Sequence, residues 1–415
     1  MESRKQKVAI VTSGYFPIPA TLGGAVEALD ENLLKQNEKS KRINFVVFSC
    51  WNEAAVEEAK KYYSANFVFI KTPLIIRFGD KCIYFAAKNI LKIKKNMSYR
   101  YILQRLYFIK KVAKNLYRND YDKVILENHS TLFMVLKKHQ NYRKYEGKYY
   151  YHLHNIVTND YGCREILCNC RKVIGVSDYI NNTLRGFLDN DDHNEYCVLR
   201  NKIDRDKFLI KLNDKDKERI RNEFGLSLDD QVVLFTGRFN EEKGINELLH
   251  AFKKIQKENI KLLVVGGYYF GSGMISQFES EMYELAKEMN DGVKFTGFIP
   301  YEKMPELYAV ADIVVIPSIW DDPAPLTVIE ALTSGKALIT TNSGGIPEYA
   351  DNQSSIILKR GDNLIDDLAS AIKNMLENDQ ERKQTELKVR SKTEKWNIEA
   401  FYNDFCSIIE VPDEE

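Results

Sequence analysis

Runs of four to eight β-branched and aromatic residues, each closed by Gly, Ser or Asn and followed by a longer segment of helical period, recur along this chain. Alternation of that kind leaves few options, because strands separated by helical crossovers pair in parallel and need helices on both faces. "KVAIVTSG", "INFVVFSC", "FVFIK", "KVILEN", "KYYYHLHN" and "KVIGVSD" form one series. A second begins at "VVLFTGR" and runs through "IKLLVVGG", "VKFTGF", "DIVVIPS", "KALITTN" and "SSIILK". At 415 residues the chain is too long for one ordinary core, and two doubly wound α/β domains account for both series. The charged stretch "LRNKIDRDKFLIKLNDKDKERIRNEFGL" reads as the linker plus the first helix of the second domain.

A net charge of +1 gives no global basic field, so nucleic acid is not an expected partner. The opening "MESRKQKVAIVTSG" enters a strand with no signal-like apolar region, no apolar run approaches spanning length, and seven scattered cysteines do not resemble a disulfide framework. A cytoplasmic location is expected.

Four stretches carry candidate chemistry. In "WDDPAPLTVIEAL", Pro325 suits the first helical position and Gly335 the helix end, so a helix of about ten residues should follow the strand "DIVVIPS". The free N–H groups of Leu326 and Thr327 at its start would favour an anion. Glu330 lies one turn further in among apolar residues and needs a hydroxyl or a cation as partner. The bland alternative is a capping role for Asp321 or Asp322 and an internal ion pair for Glu330. In "VVLFTGRFNEEKGINELLHAF", Arg238 follows a strand and Lys243 precedes a helix, so both cations can meet a diphosphate. In "TSGYFPIPATLGGAVEAL", Gly23 and Gly24 open a helix, a small-residue turn that lets backbone approach a phosphate but is not a dinucleotide fingerprint. In "YYYHLHNIV", His152 and His154 share one side of a strand, and His129 ends the preceding one. Cys163, Cys168 and Cys170 lack the paired spacing of a zinc site.

"LRNKID", "GRFNEEKG", "VKFTGFIPYEKMPELYAVADIVVIPS" and "DDPAPLTVIEALTSGKALITTNSGGIPE" together resemble the successive motifs of family 4 glycosyltransferases, densely from about residue 170 to 350. The resemblance implies the GT-B fold, two Rossmann-like domains facing across a cleft. Residues 1–205, with a C-terminal crossover helix over about 391–415 that carries Trp396 and Phe401, would bind the acceptor, and 206–390 the nucleotide sugar. Asp322 and Glu330 match the spacing of the family's donor-site acids. By resemblance, Glu330 accepts from ribose hydroxyls, Asp322 holds the donor sugar, Arg238 and Lys243 bind the diphosphate, backbone near Phe298 and Ile299 meets the base, and His154 stands beside the reaction centre. Asp322 replaces the family's usual Glu, and Ala324-Pro325 the usual Phe-Gly. The implied activity is retaining transfer of a hexose from a nucleotide-diphosphate sugar, a UDP sugar in the first instance, to a glycan or lipid-linked acceptor in bacterial surface polysaccharide synthesis, with no cofactor and no required metal. Alternatives are a sugar-nucleotide epimerase of the same fold or a non-catalytic sugar-nucleotide-binding partner protein.

From Lys88 to Lys123, eleven Lys or Arg stand against two acids, interleaved with aliphatic and aromatic residues. Such a surface either lies on anionic lipid at the inner face of the cell membrane or is the solvated face of a core helix.

Overall fold

The computed structural model describes residues 4–91, 100–189, 193–255, 257–267 and 276–411. The chain divides into two compact units, 1–200 with 401–415, and 201–400.

The first unit is built on a seven-stranded sheet: β1 (Gln6–Val11), β2 (Ile43–Cys50), β3 (Ala65–Ile70), β4 (Lys123–Glu127), β5 (Tyr149–Leu153), β6 (Lys172–Gly175) and β7 (Tyr196–Val198). Its order is β3-β2-β1-β4-β5-β6-β7, and every pairing is parallel. β7, three residues at the edge, carries too short a run to stand out in the sequence. Three helices matter below: α1 (Ala25–Ser40), α2 (Leu74–Phe85) and α3 (Ile102–Arg118). Ile93 and Tyr99 of the basic stretch lie outside the described residues. Within α3 the apolar positions Phe108, Ile109, Val112 and Leu116 are buried, while Lys110, Lys111 and Lys114 face solvent. That helix therefore packs one apolar face into the core and turns a charged face outward, where Leu106 and Tyr117 are also exposed.

The second unit contains β8 (Gln231–Thr236), β9 (Ile260–Val265), β10 (Val293–Gly297), β11 (Ile313–Ile316), β12 (Ala337–Thr341) and β13 (Ser355–Leu358) in the order β10-β9-β8-β11-β12-β13, again all parallel. Helices α4 (Ile245–Ile255), α5 (Met304–Val310) and α6 (Leu326–Thr333) pack around it. Side chains alternate between two cores, as strand geometry requires. Val232, Leu234 and Val314 enter one, and Val233, Phe235 and Val315 the other. Both faces are covered, which is why these strands read as continuous apolar runs. In each sheet the chain reverses its direction of winding beside the first strand, between β1 and β4 and between β8 and β11. Crevices for ligands open at such points, outside the carboxyl ends of the strands.

A last helix, α7 (Ile398–Ile408), carries the chain from the second unit into the first. Phe401 is buried there, and the Tyr402 hydroxyl donates to Asn37 Oδ1 at 2.6 Å. Trp396 stays behind, edge-on to Tyr349 at 6.2 Å within the second unit. The crossing falls at residue 400 and not near 391, because Trp396 packs with the second core.

Candidate functional site

In the second unit, the segments that follow β8 and β11 meet. After β8, Gly237 N–H donates to Val265 O at 3.0 Å, and Arg238 follows with its side chain exposed. A short turn, Glu241–Lys243, then ends on Gly244 at φ +70°, where a side chain would strike the Pro317 carbonyl. The Glu242 carbonyl accepts from Ile319 and Trp320 N–H at 3.0 and 3.2 Å, pinning this turn to the loop after β11. As a result Lys243 Nζ sits 2.6 Å from Asp322 Oδ2, joining residues 79 positions apart.

α6 begins at Leu326 and is eight residues long, shorter than expected, with Pro325 in the capping position and not inside the helix. The reason is local: Pro325 has an extended ψ of 122°, and its carbonyl accepts the first helical bond, from Ile329 N at 3.3 Å, along with a turn bond from Val328 N at 3.1 Å. The N–H groups of Leu326 and Thr327 are thereby left outside the helical ladder. Neither aspartate caps the helix. Asp322 is held by Lys243 and by Ala324 N–H, whereas Asp321 accepts from Gly344 N–H at 3.0 Å and pairs with Arg360 at 2.7 Å. Gly344, at φ +56°, approaches so closely that a Cβ there would lie 2.5 Å from Asp322 O.

Glu330 is buried, and its partner is a hydroxyl. Tyr308 on α5 donates to Glu330 Oε2 at 2.8 Å and lies 2.9 Å from Thr236 Oγ1 at the end of β8. Burial pushes the Glu330 carboxyl up to about 7 against the bonds from Tyr308 and Tyr301, and among the described residues no cation pairs with it. Sequence reasoning missed both tyrosines, although they lie in the "PYEKMPELY" stretch whose motif had been recognised. Ile299 packs beside this core, and Phe298 is exposed at the end of β10.

In the first unit, three elements end together. Gly23 and Gly24 do open α1, Gly24 at φ +107°. At the ends of β4 and β5, Glu127, His152 and His154 are buried as a group. Glu127 Oε2 is 3.0 Å from His152 Nδ1 and 3.6 Å from His154 Nε2, and the two rings approach to 3.3 Å between those nitrogens. Burial opposes ionisation of Glu127, but the two imidazoles outweigh it and hold the carboxyl well below its ordinary value, at about 2. Burial and His152 bring His154 down to about 4. Among the described residues this is the grouping that could hold a metal ion, its ligand atoms lying within 4.8 Å of one another, and Cys163, Cys168 and Cys170 form no such group. Burial raises the Asp30 carboxyl, and the nearby Glu127 and Glu27 raise it further, so its neutral form is favoured here. His129 is separate, its ring 5.3 Å from that of Tyr15.

Residues 216–392 match the family model for glycosyl transferases group 1. This part of the chain is similar to the group 1 glycosyltransferases. It contains Arg238, Lys243, Asp322, Glu330 and both tyrosines. Among curated relatives, the putative glycosyltransferase YtcC of Bacillus subtilis is 30% identical over 196 residues, 46% of this chain and 47% of that protein. The lipopolysaccharide 1,2-N-acetylglucosaminetransferase of Salmonella typhimurium is 32% identical over 136 residues, 32% of this chain and 36% of that protein. The matched regions thus span about half or less of those relatives. The family match accounts for less than the whole fold, and the remainder is seen in three dimensions. Anabaena Alr3699/HepE, solved in complex with UDP and glucose, superposes with a TM-score of 0.71 over 98% of this chain and 100% of that one, at 17% identity. Both units therefore belong to the GT-B architecture.

Proposed function

We propose that the protein is a retaining hexosyltransferase that takes its sugar from a nucleotide diphosphate, UDP in the first instance, and passes it to a glycan or lipid-linked acceptor in surface polysaccharide synthesis. The observation that carries this reading is the Lys243–Asp322 pair at the start of α6, with Glu330 one turn below it. Lys243 has three N–H bonds and gives one to Asp322, so two remain for phosphate oxygens. Arg238 and the N–H groups of Leu326 and Thr327 supply further positive charge to the leaving diphosphate, where it counts most as the glycosidic bond breaks. Asp322 then takes the sugar hydroxyls, Glu330 the ribose, and backbone near Phe298 and Ile299 the base. The departing phosphate deprotonates the acceptor hydroxyl on the same face, and no step calls on a metal or a covalent carboxylate. In the first unit, Gly23, Gly24 and His154 serve the phosphate and sugar side of the reaction. Anabaena Alr3699/HepE, with its bound UDP and glucose, lends support to the choice of base.

Ligand-induced change in melting temperature across UDP, GDP, ADP and their sugars tests the donor, since a ligand of the native state raises apparent stability. UDP and a UDP-hexose should raise it, and Glu330→Ala with Lys243→Ala should abolish the rise. Consumption of the sugar nucleotide with no acceptor present would point to an epimerase; tight binding with no transfer to any extract would point to a binding protein.

A further inference from the structure

α2 presents an unusual surface. At about 100° per residue, Leu74, Ile75, Phe78, Cys82 and Phe85 fall within an arc of about 100° on one side of the helix. The four large ones are between 60% and 80% exposed. The opposite side rests on α3: Asp80 is buried, and a Cβ at Gly79 would stand 2.8 Å from the Leu103 side chain. The outward stripe is thus not a misassigned core face, because this helix already has an inward one. Past α2 the apolar surface continues with Ile90 and Leu91, both about two-thirds exposed.

Charge separates this stripe from an ordinary apolar patch. Between Lys71 and Arg118 the sequence holds thirteen Lys or Arg and one acid, Asp80. That acid is turned inward as a cap on α3, accepting from Leu103 N–H at 2.8 Å and from Gln104 N–H at 3.0 Å. The outward surface of this segment consequently offers cations without carboxylates: Arg77, Lys81 and Lys88 are all exposed on or just beyond α2. A second copy of the chain would set cation against cation across a two-fold axis. Aliphatic and aromatic side chains flanked by ammonium and guanidinium groups match the acyl boundary and headgroups of an anionic bilayer.

We propose that α2 is a lipid-docking helix, which lies in the surface of an anionic membrane through Leu74, Ile75, Phe78 and Phe85 while Arg77, Lys81 and Lys88 engage phosphate headgroups. The proposal stands apart from what the second unit binds. It also places lipid contact on α2 in preference to α3, whose Phe108, Ile109, Val112 and Leu116 are in the core.

Co-sedimentation of the full chain with phosphatidylcholine vesicles, with and without phosphatidylglycerol, tests it. Binding is expected to the anionic vesicles alone and to weaken with salt. The double variants Ile75→Ser/Phe78→Ser and Arg77→Glu/Lys81→Glu should each lower it roughly tenfold or more, with the melting temperature unchanged because these side chains are exposed. Tyr63→Ser, at another exposed aromatic of the first unit, should leave it intact. Failure to sediment with any vesicle, or sedimentation indifferent to both double variants, overturns the proposal. So does a dimer in light scattering that Ile75→Ser/Phe78→Ser dissolves, which would give the face to a second copy. UDP-induced stabilisation, measured in parallel, reports on the second unit and fails or survives separately.

Discussion

Glu127 in the first unit and Glu330 in the second are both buried near strand ends, and the two behave in opposite ways. Glu127 is held at about 2 and Glu330 is raised to about 7, although both are withdrawn from water. What differs is the partner. An imidazole can take up a proton and return positive charge, so His152 and His154 favour the carboxylate. A phenol offers a hydrogen bond and no charge; Tyr308 and Tyr301 soften the cost of burial for Glu330 without cancelling it. The first unit therefore keeps a settled anion, whereas the second keeps one poised to ionise fully when a better set of donors arrives. The hydroxyl pair of a ribose is such a set.

The comparison breaks most visibly if UDP-sugar turnover depends on Glu127 as strongly as on Lys243. Lys243→Ala should lower kcat with a UDP-sugar by on the order of a hundredfold to a thousandfold, with a melting temperature near that of the wild type. Glu127→Gln, the mirror change in the first unit, should leave UDP affinity within about twofold, since Glu127 contacts His152 and His154, neither of which is proposed to hold UDP; calorimetry on both variants decides.

Next in size is Glu330→Gln. UDP binding should weaken roughly tenfold to a hundredfold, and its pH dependence should vanish. In the wild type, ribose hydroxyls prefer the ionised carboxyl, so affinity should fall as pH drops below about 7 and protons should be released on binding near that pH. A flat wild-type profile would show that Glu330 does not meet the ribose.

Tyr308→Phe sharpens the same point. Removing the 2.8 Å bond leaves burial less opposed, so the binding profile should move to higher pH with a few-fold loss of affinity at neutrality.

The smallest effect is in stability. Glu127 and His154 lie below their ordinary values of 4.5 and 6.5, so the unfolded chain takes up protons first and their contribution should fall as pH drops from about 6.5 to about 2, opposed in part by the raised carboxyls of Glu27 and Asp30. Glu330 lies above 4.5, so its contribution should rise as pH falls from about 7 to 4.5. Hydrogen exchange at neutral and mildly acidic pH should show protection declining at β4 and β5 before β8 and β11.

Strand patterning made twelve of the thirteen strands legible, because covering a sheet on both faces writes itself as unbroken apolar runs. β7 escaped for want of length. The Asp322–Glu330 spacing and Lys243 were legible since they lie on segments tied to strand ends. Tyr308 was not: an aromatic at a buried helix position looks like core filler, and only the fold brings its hydroxyl under Glu330. Pro325 fits a first helical turn by its fixed φ, yet its ψ is set by the loop that Gly344 and Lys243 hold in place. The basic run from Lys88 to Lys123 could not point to α2, which precedes it; that its apolar side faces outward depends on Asp80 turning inward to cap α3.

Gly344 has a wider consequence. With no room for even a methyl group against the Asp322 backbone and a left-handed φ besides, it acts as the anvil on which the loop between β11 and α6 is shaped. A saturation scan scored by transfer should find this position as intolerant as Lys243 itself, while soluble yield suffers far less. Ranking residues by such intolerance alone would then nominate a glycine with no functional group as part of the chemistry.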